Sequence, residues 1–197
     1  KKALLAGKHV FLEKPSTTSA DDTKELVGIA GEKGLVVQEN YMFQFHAQLK
    51  EIESFIASGE LGKLRLVRTS FGFPRRAEGD FRYVKELGGG TMMDNGGYTI
   101  KLIDMLLGES MRLVSSQLDY DEKTGIDIFG TAEFVNDDGV IAQAAFGMDC
   151  QYQCSLELWG SRGRLTTGRI YTAPDGFKPV ALVETGAGSR TVELPSC

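Results

Sequence analysis

The residues best suited to chemistry near the start of the chain are Glu13, Lys14 and Pro15. They follow an apolar run at residues 10–12, which predicts a short buried strand with Lys14 at its carboxyl end. In open α/β sheets, ligands bind just outside the carboxyl ends of the strands, where a lysine ammonium can contact them. Proline has no backbone N–H and restricts the residue before it, so the chain must turn after Lys14. A solvent-exposed charged turn explains the same three residues, and both interpretations stay open here.

A second group of candidates follows three consecutive glycines further along the chain. Asp94, Tyr98 and Lys101 recur at spacing i, i+4 and i+7, which places them on one face of a predicted helix. The glycine pair at 96–97 costs that helix roughly 1 kcal/mol per glycine relative to alanine, which predicts close approach of another backbone or a ligand. The alternatives are a helix N-terminal charge for Asp94, a half-buried aromatic for Tyr98 and a solvated charge for Lys101.

Hydrophobic periodicity predicts the elements that position Lys14. In order, they are the end of a helix at 1–6, a strand at 10–12, a helix at 20–33 and a buried strand at 35–38. Strand, helix and strand within about 30 residues form a right-handed parallel βαβ unit. The polar and aromatic segment 39–46 would therefore leave its strand at the same sheet edge as Lys14.

The rest of the chain predicts two helices and many short strands. The predicted elements are a helix at 47–58, a strand at 64–73, a loop to residue 87, the helix that carries Tyr98, and strands at 111–119, 127–136, 139–148, 151–159, 164–168, 179–184 and 190–194. This order favours a mostly antiparallel sheet with helices on one face. In the loop, Arg75 and Arg76 are suited to grip a diphosphate, although an ordinary charged loop explains them equally well.

Composition excludes several classes of function. The chain has 197 residues, of which 42% are hydrophobic and 25% charged, and a net charge of −5 without a basic block, which argues against nucleic acid as a partner. No apolar run approaches the roughly 18 residues needed to span a membrane. The three cysteines and two histidines argue against a disulfide framework and a metal site, and they favour a reducing, cytoplasmic compartment.

Taken together, five stretches resemble the Gfo/Idh/MocA family of NAD(P)-dependent oxidoreductases. They are AGKHVFLEKP at 6–15, ENYMF at 39–43, SGELG at 58–62, the triple glycine at 88–90 with Asp94, Gly96 and Tyr98, and LWGSRGRL at 158–165. The set spans nearly the whole chain in the order of the family. The resemblance implies the C-terminal part of a Rossmann dinucleotide-binding domain at 1–42, and a substrate and oligomerisation domain at 43–197 with a large, mostly antiparallel open sheet.

The glycine-rich first half of a Rossmann domain does not occur in this sequence. We therefore expect the chain to be the C-terminal portion of something longer, and we expect that it would not bind a dinucleotide by itself. The residue that distinguishes NADP from NAD lies about 20 positions past the glycine motif, so either cofactor remains open.

The resemblance also implies roles for individual residues. It assigns Lys14 to the catalytic centre, and Tyr98 to the position where much of the family has an acid/base histidine. A tyrosine there resembles the branch that contains glucose-fructose oxidoreductase and the NDP-hexose 3-ketoreductases. The implied cofactor contacts are Glu13, Lys14, Pro15, Asn40 and Gln44, and the implied substrate contacts are Lys14, Tyr41, His46, Asp94 and Tyr98. The sequence departs from the family pattern at Gln44, where arginine is usual, at Ala47, where proline is usual, and at Lys101, where aspartate is common.

The function implied is hydride transfer between NADP or NAD and a sugar or sugar nucleotide. A free tyrosine has a pKa of about 10, so Tyr98 would be protonated at neutral pH and suited to donate a proton, with Lys14 stabilising the developing negative charge. We also expect a homo-oligomer formed through the C-terminal sheet. The alternative is a non-catalytic substrate-binding or oligomerisation module. For His46, the alternative to a substrate contact is a polar surface residue at the start of a helix.

Overall fold

The computed structural model describes residues 1–108 and 110–196, and the chain divides into two compact units. The first unit is Lys1–Tyr41 and the second begins at Met42. Within the described ranges, no helix is long and apolar enough to cross a membrane. The same residues contain no cluster of three or more His, Cys, Asp or Glu side chains placed to hold a metal ion.

The first unit is a βαβ unit preceded by one helical turn. Its elements are α1 (Lys2–Leu5), β1 (Val10–Glu13), α2 (Ala20–Lys33) and β2 (Val37–Asn40). β1 and β2 are parallel, in a register that pairs Val10 with Val37 and Glu13 with Asn40. Ser19 caps α2, because its hydroxyl accepts a hydrogen bond from the Asp22 amide at 3.1 Å. The predicted βαβ order is confirmed.

The prediction of a buried strand at 35–38 is wrong in two respects. β2 begins at Val37 because Leu35 closes the end of α2 and the amide of Val36 bonds a side chain instead of the neighbouring strand. Gly34 is left-handed, the Leu35 amide donates to the Ala30 carbonyl at 2.8 Å, and the Val36 amide donates to Nδ1 of His9 at 3.0 Å.

The strands of this unit are also less buried than expected. Phe11 in β1 is 64% exposed, and Val36 just before β2 is 56% exposed. A sheet of two strands with one long helix is too small to cover both of its faces, so an apolar sequence is not sufficient for burial here.

The second unit is an eight-stranded sheet with helices. Its helices are α3 (Gln48–Ser58) and α4 (Gly97–Leu107), with short 3₁₀ turns at Met42–Phe45, Phe81–Tyr83 and Lys85–Leu87 and a π-helical turn at Met92–Gly96. Its strands are β3 (Leu64–Gly72), β4 (Arg112–Tyr120), β5 (Asp127–Val135), β6 (Ile141–Gly147), β7 (Gln153–Gly160), β8 (Gly163–Gly168), β9 (Val180–Thr185) and β10 (Gly188–Glu193). These bounds lie within about two residues of the predicted ones.

The strand order is β10-β9-β8-β7-β3-β6-β5-β4. Every neighbouring pair is antiparallel except β3 and β6, which are parallel. Helix α4 and the π-helical turn pack against β3 and β6. Fully buried side chains such as Val67, Leu102 and Leu156 form the core between the helices and one sheet face. The predicted combination of a βαβ unit with a large, mostly antiparallel sheet is confirmed.

The cysteines of the described residues are free thiols. Cys154 is buried in β7, and Cys150 precedes that strand. Burial raises the pKa of the Cys150 thiol, with a further contribution from the Asp149 carboxylate. Cys197, the third cysteine, lies outside the described residues.

Candidate active site

Lys14 lies in a turn at the carboxyl edge of the two-stranded sheet, and we call residues 13–16 the lysine turn. The Lys14–Pro15 peptide bond is cis. Two acidic side chains hold the turn: Glu13 accepts from Nδ2 of Asn40 at 2.8 Å, and Glu39 accepts from the Ser16 amide at 2.7 Å. The Lys14 side chain is partly buried. Parallel pairing thus brings three of the residues implied for the cofactor, Glu13, Lys14 and Asn40, to one edge of the sheet.

Glu39 was not among the predicted site residues. Its contact with the Ser16 amide spans 23 residues of sequence, so only the pairing of β1 with β2 reveals it. A carboxylate that accepts a backbone N–H forms a charge-assisted bond, stronger than a neutral one. The signal available in the sequence was its position in the ENYMF stretch.

Other predicted residues follow β2. Tyr41 is buried, with 9% of its surface exposed, and Gln44 is half-buried in the 3₁₀ turn that opens the second unit. His46 stands just before α3, and its Nδ1 accepts from the Gln48 amide at 3.2 Å. Burial lowers the pKa of His46, which favours the neutral imidazole. Because Nδ1 accepts a hydrogen bond, the proton of the neutral ring is on Nε2.

The stretch that carries Asp94 is not an ideal α-helix. Residues Met92–Gly96 wind as a π-helical turn, which adds a residue before α4 begins at Gly97. The π-helical turn changes the α-helical spacing on which a common face of Asp94 and Tyr98 was predicted, whereas Tyr98 and Lys101 both lie in α4 at spacing i, i+3. Lys101 pairs with Asp104 at 3.2 Å and is about one-third exposed, which favours the interpretation of a structural surface charge.

Asp94 is paired with Arg82, an arginine for which the sequence predicted no role. Nε of Arg82 donates to Oδ2 of Asp94 at 2.7 Å, and the Asp94 side chain is only 11% exposed. Arg82 also contacts Asp80 at 3.1 Å, and its guanidinium lies 4.5 Å from the Phe81 ring centroid. The carboxylate is thus held by an opposite charge from the preceding loop, and the interpretation as a helix-dipole charge is not needed.

A buried asparagine anchors the π-helical turn to the sheet. Nδ2 of Asn95 donates to the carbonyl oxygens of Phe71 at 2.7 Å and Gly147 at 2.9 Å, and its Oδ1 accepts from the Thr91 hydroxyl. Asn95 is 1% exposed, so all of these bonds lie away from water. They join the turn to the parallel pair β3 and β6.

The sequence predicted close approach of another backbone or a ligand at the glycine pair 96–97, but the groups that approach Gly96 are protein side chains, and so is the group that approaches Gly90. A Cβ on Gly90 would lie 2.2 Å from Oδ1 of Asp127, whose other oxygen accepts from the Met92 amide at 2.6 Å. A Cβ on Gly96 would lie 3.2 Å from the Phe146 ring. Glycine lets the turn pack directly on the sheet, which fixes where α4 begins.

Tyr98 belongs to a packed group of aromatic rings, which we call the tyrosine cluster (Phe43, Phe71, Tyr98 and Tyr171). From the Tyr98 ring, the centroid distances are 5.2 Å to Phe71, 5.7 Å to Phe43 and 5.8 Å to Tyr171. Tyr98 is 7% exposed, so it is more buried than the predicted half-buried aromatic. Such contacts limit the ring to a defined orientation.

Tyr171 is the member of the cluster that the sequence analysis missed. It follows β8 and is 2% exposed, and its hydroxyl bonds the hydroxyl of Thr69. Burial raises its pKa well above the ordinary value, so the phenol stays protonated and serves as packing. Nothing in the sequence distinguishes it from other strand aromatics.

The contacts of the two loop arginines bear on the two interpretations left open for them, a grip on a diphosphate and an ordinary charged loop. Arg75 contacts Asp121 at 2.9 Å and Asp149 at 3.2 Å, and its guanidinium lies 5.0 Å from the Tyr83 ring centroid. Arg76 lies at 5.0 Å over the Phe73 ring. The Arg75 guanidinium is thus engaged by protein carboxylates, and the alternative of a structural charged loop is favoured.

Comparison with known proteins gives the family. Residues 49–166 match the GFO/IDH/MocA C-terminal domain, and residues 1–41 match the oxidoreductase family with an NAD-binding Rossmann fold. The chain belongs to the Gfo/Idh/MocA family. The family resemblance of its sequence stretches is therefore confirmed, and so is the fold class of a Rossmann portion followed by a large open sheet.

Individual members of the Gfo/Idh/MocA family are similar over nearly all of this chain. A dTDP-3,4-didehydro-2,6-dideoxy-alpha-D-glucose 3-reductase from Streptomyces violaceoruber is 39% identical over 197 residues, which is 99% of this chain and 57% of the relative. A crystal structure of a 3-ketoreductase from Actinomadura kijaniata in complex with NADP and TDP-benzene superposes with a TM-score of 0.95 at 35% identity, over 99% of this chain and 60% of that chain.

An aldose-aldose oxidoreductase from Caulobacter crescentus shares the fold at 21% identity, with a TM-score of 0.88 over 100% of this chain and 59% of that chain. The chain thus spans less than two thirds of the length of these relatives.

Proposed function

We propose that the full-length protein is an NADP-dependent oxidoreductase that reduces the ketone of a nucleotide-linked sugar. The observation that carries this proposal is the identity and spacing of Lys14 and Tyr98. Structures of the Actinomadura kijaniata 3-ketoreductase with TDP-benzene and NADP include one variant with a lysine replaced by alanine and another with a tyrosine replaced by phenylalanine. Those two positions are 84 residues apart in that protein, and Lys14 and Tyr98 are also 84 residues apart.

We propose residues 1–42 as the C-terminal part of the dinucleotide-binding domain and 43–197 as the domain for substrate and oligomerisation. The residues proposed to hold the nicotinamide end of NADP are Glu13, Lys14, Pro15, Asn40 and Gln44. The lysine turn fits a polar ligand, because a cation and an amide side chain stand at one sheet edge, held by the bonds of Glu13 and Glu39. NADP, when bound, would supply the hydride to the carbonyl carbon.

Tyr98 would donate the proton that the carbonyl oxygen needs. A phenol with an ordinary pKa of about 10 is protonated at neutral pH, and the rings of Phe43 and Phe71 restrict its orientation. Lys14 would stabilise the negative charge that develops on the oxygen and on the tyrosinate left behind. In the oxidation direction, the same tyrosine would accept the proton.

Three further residues are proposed to contact the sugar. Arg82 holds the Asp94 carboxylate in place, and a carboxylate accepts hydrogen bonds, so Asp94 is suited to accept from a sugar hydroxyl. His46 is neutral with a proton on Nε2 and is suited to donate. Tyr41 is proposed on its position in the ENYMF stretch alone.

The second sheet face supports the proposal of a homo-oligomer. Large apolar side chains remain exposed on four of its strands, namely Phe129, Ile141, Trp159, Val180 and Leu182. Polar side chains lie among them: the Arg68 guanidinium donates to Oε1 of Gln143, and its central carbon lies 5.0 Å from the Trp159 ring centroid. Exposed apolar area of this kind marks an interaction surface, and sedimentation velocity of the full-length protein tests it. A cytoplasmic location stays a prediction from the sparse cysteines.

The decisive experiment measures cofactor binding and reduction with the full-length protein. Quenching or enhancement of nicotinamide fluorescence on titration with NADPH gives the dissociation constant, and loss of absorbance with a TDP-linked 3-ketosugar gives turnover. We expect binding and turnover by the parent, and turnover reduced at least about 100-fold in Lys14→Ala. A parent that binds neither NADPH nor NADH would overturn the proposal and favour the non-catalytic module.

A further inference from the structure

The segment after β8 carries an arginine in an unusual backbone conformation. Arg169 has φ of +53°, and it is the one residue other than glycine with positive φ within 1–108 and 110–196. The left-handed region is disfavoured for a side chain with a Cβ, so it persists only where the surroundings enforce it. Such residues concentrate at functional sites, which makes the surroundings of Arg169 informative.

A buried glutamine enforces the conformation. Nε2 of Gln48 donates to the Arg169 carbonyl at 3.3 Å, and Gln48 is fully buried at the start of α3. Its Oε1 has no hydrogen-bond partner in the described part of the chain. Reversing the amide would set Oε1 against the Arg169 carbonyl oxygen, so the contact with Arg169 determines the orientation and leaves one acceptor unsatisfied. Ile170 and Tyr171 anchor the other side, at 1% and 2% exposed.

The guanidinium itself is exposed and preorganised. It lies 4.6 Å from the ring centroid of Tyr152, and its Nη1 donates to the Tyr152 hydroxyl at 3.2 Å. That hydroxyl also bonds Thr172 at 2.8 Å, which fixes the phenol. Among the described residues, Arg75, Arg82, Arg164 and Arg190 each contact at least one carboxylate, whereas Arg169, like Arg68 and Arg162, has none within ion-pair distance.

Arg169 stands beside the tyrosine cluster. Tyr171, two residues later, packs against Tyr98 at 5.8 Å and against Phe43 at 5.1 Å. Gln48, which holds the Arg169 carbonyl, lies two residues after His46. The backbone N–H of Gln48 donates to Nδ1 of that histidine. The strained arginine therefore belongs to the same part of the second unit as the proposed proton donor and a proposed sugar contact.

We propose that Arg169 binds the diphosphate of the sugar nucleotide, with Tyr152 holding the guanidinium in place. A planar guanidinium matches two phosphate oxygens at once, and stacking on an aromatic ring reduces the freedom it loses on binding. A site that anchors the diphosphate beside Tyr98 would hold the ketone of the attached sugar near the proton donor. The inference rests on the proposed function and assigns the part of the substrate that selects nucleotide-linked sugars over free ones.

Arg169→Gly is the most informative variant. Glycine adopts positive φ without strain, so the substitution removes the guanidinium while it preserves or improves stability, which thermal unfolding would verify. Arg169→Lys keeps the charge and loses the planar fork. Arg164→Gln is the matched control, because it removes one positive charge from the neighbouring strand β8, where Arg164 is paired with Glu184.

Calorimetric titrations of the full-length protein with TDP, thymidine and NADPH test the inference. For Arg169→Gly we expect TDP affinity to fall about 10- to 100-fold, with thymidine and NADPH affinities unchanged, and for Arg169→Lys an intermediate loss. Arg164→Gln should bind all three like the parent.

Each departure from that pattern has a separate meaning. Parent-like TDP affinity in Arg169→Gly would overturn the diphosphate assignment while turnover by the parent leaves the proposed function standing. A loss of NADPH affinity in place of TDP affinity would assign Arg169 to the cofactor and overturn the inference. A parent that binds NADPH and not TDP would overturn the inference together with the choice of a nucleotide-linked substrate.

Discussion

The lysine turn and the tyrosine cluster hold their key residues by different means. The turn is held by polar contacts at the edge of a two-stranded sheet, where Glu13 and Glu39 accept one hydrogen bond each. The cluster is held by packing, with Tyr98 7% exposed among three other rings and the preceding turn fixed by Asn95. Polar contacts near water contribute little net stability each, whereas buried ones are costly to lose. Substitutions that break a contact of the lysine turn should therefore cost little folding stability, whereas substitutions that break a buried contact near the tyrosine cluster should cost much more.

Removal of the Tyr98 hydroxyl should have the largest effect. We expect Tyr98→Phe to reduce kcat by about 100- to 10,000-fold, because general acid catalysis contributes that much and the ring itself is kept. The measurement is steady-state reduction of a TDP-linked ketosugar by the full-length protein. Tyr171→Phe is the matched control from the same cluster, since its hydroxyl bonds only Thr69 among the described residues. Equal losses in both variants would assign the effect to packing and remove Tyr98 from proton transfer.

The next largest effect should come from Asn95. Asn95→Leu keeps the size of the side chain and leaves the carbonyl oxygens of Phe71 and Gly147 buried without this donor, so we expect a loss of about 2–4 kcal/mol in the free energy of unfolding. Urea denaturation measures it. Asn40→Leu breaks one bond at the lysine turn and should cost less than about 1 kcal/mol. Equal losses of unfolding free energy in Asn95→Leu and Asn40→Leu would contradict the proposed difference in stability between the two regions.

A smaller effect is expected at Glu39. Glu39→Gln weakens the bond to the Ser16 amide by removing its charge, and we expect a loss of about 1 kcal/mol or less in unfolding free energy. NADPH affinity should fall a few-fold, because the turn around Lys14 is less well held. Glu32→Gln, on the exposed side of α2, is the control and should match the parent in both measurements. Unchanged affinity in Glu39→Gln would show that the turn does not need this contact.

The smallest effect is expected at Asp121, in the turn between β4 and β5. Hydrogen bonds from Thr124, followed by Arg75, lower the pKa of Asp121 from 3.8 to about 2. Because the folded-state pKa is depressed, the stabilisation is present above pH 4 and is lost as the pH falls toward 2. The parent should therefore be more stable than Asp121→Asn above pH 4, with the difference shrinking below it. Thermal unfolding across pH 2–6 measures this, with Glu122→Gln as control. A difference independent of pH would contradict the assignment.

Local signals in the sequence were enough for most elements. The α2 helix was predicted at its observed bounds because a capping serine and a left-handed glycine mark its two ends. The strands predicted at 127–136 and 139–148 are β5 and β6, and the turn between them is held by the Val140 amide, which donates to the Asn136 side chain. The strand at 35–38 was misplaced because the Leu35 amide bonds the end of α2 and the Val36 amide bonds His9, and hydrophobic periodicity does not report such hydrogen bonds.

For the candidate site too, some features follow from local sequence motifs and others only from tertiary contacts. The sequence by itself determined the family and the βαβ order, and it led to the proposal of Lys14 and Tyr98, because each motif depends on residue types at short spacing. Only the tertiary structure decided which groups surround them. Arg82 beside Asp94, Asn95 on the parallel pair, Tyr171 in the cluster and the strained Arg169 on buried Gln48 are contacts set by strand pairing and packing. The physical reason is that these partners lie 12 to 121 residues apart in the chain. A local sequence pattern does not predict contacts between residues that only strand pairing and packing bring together.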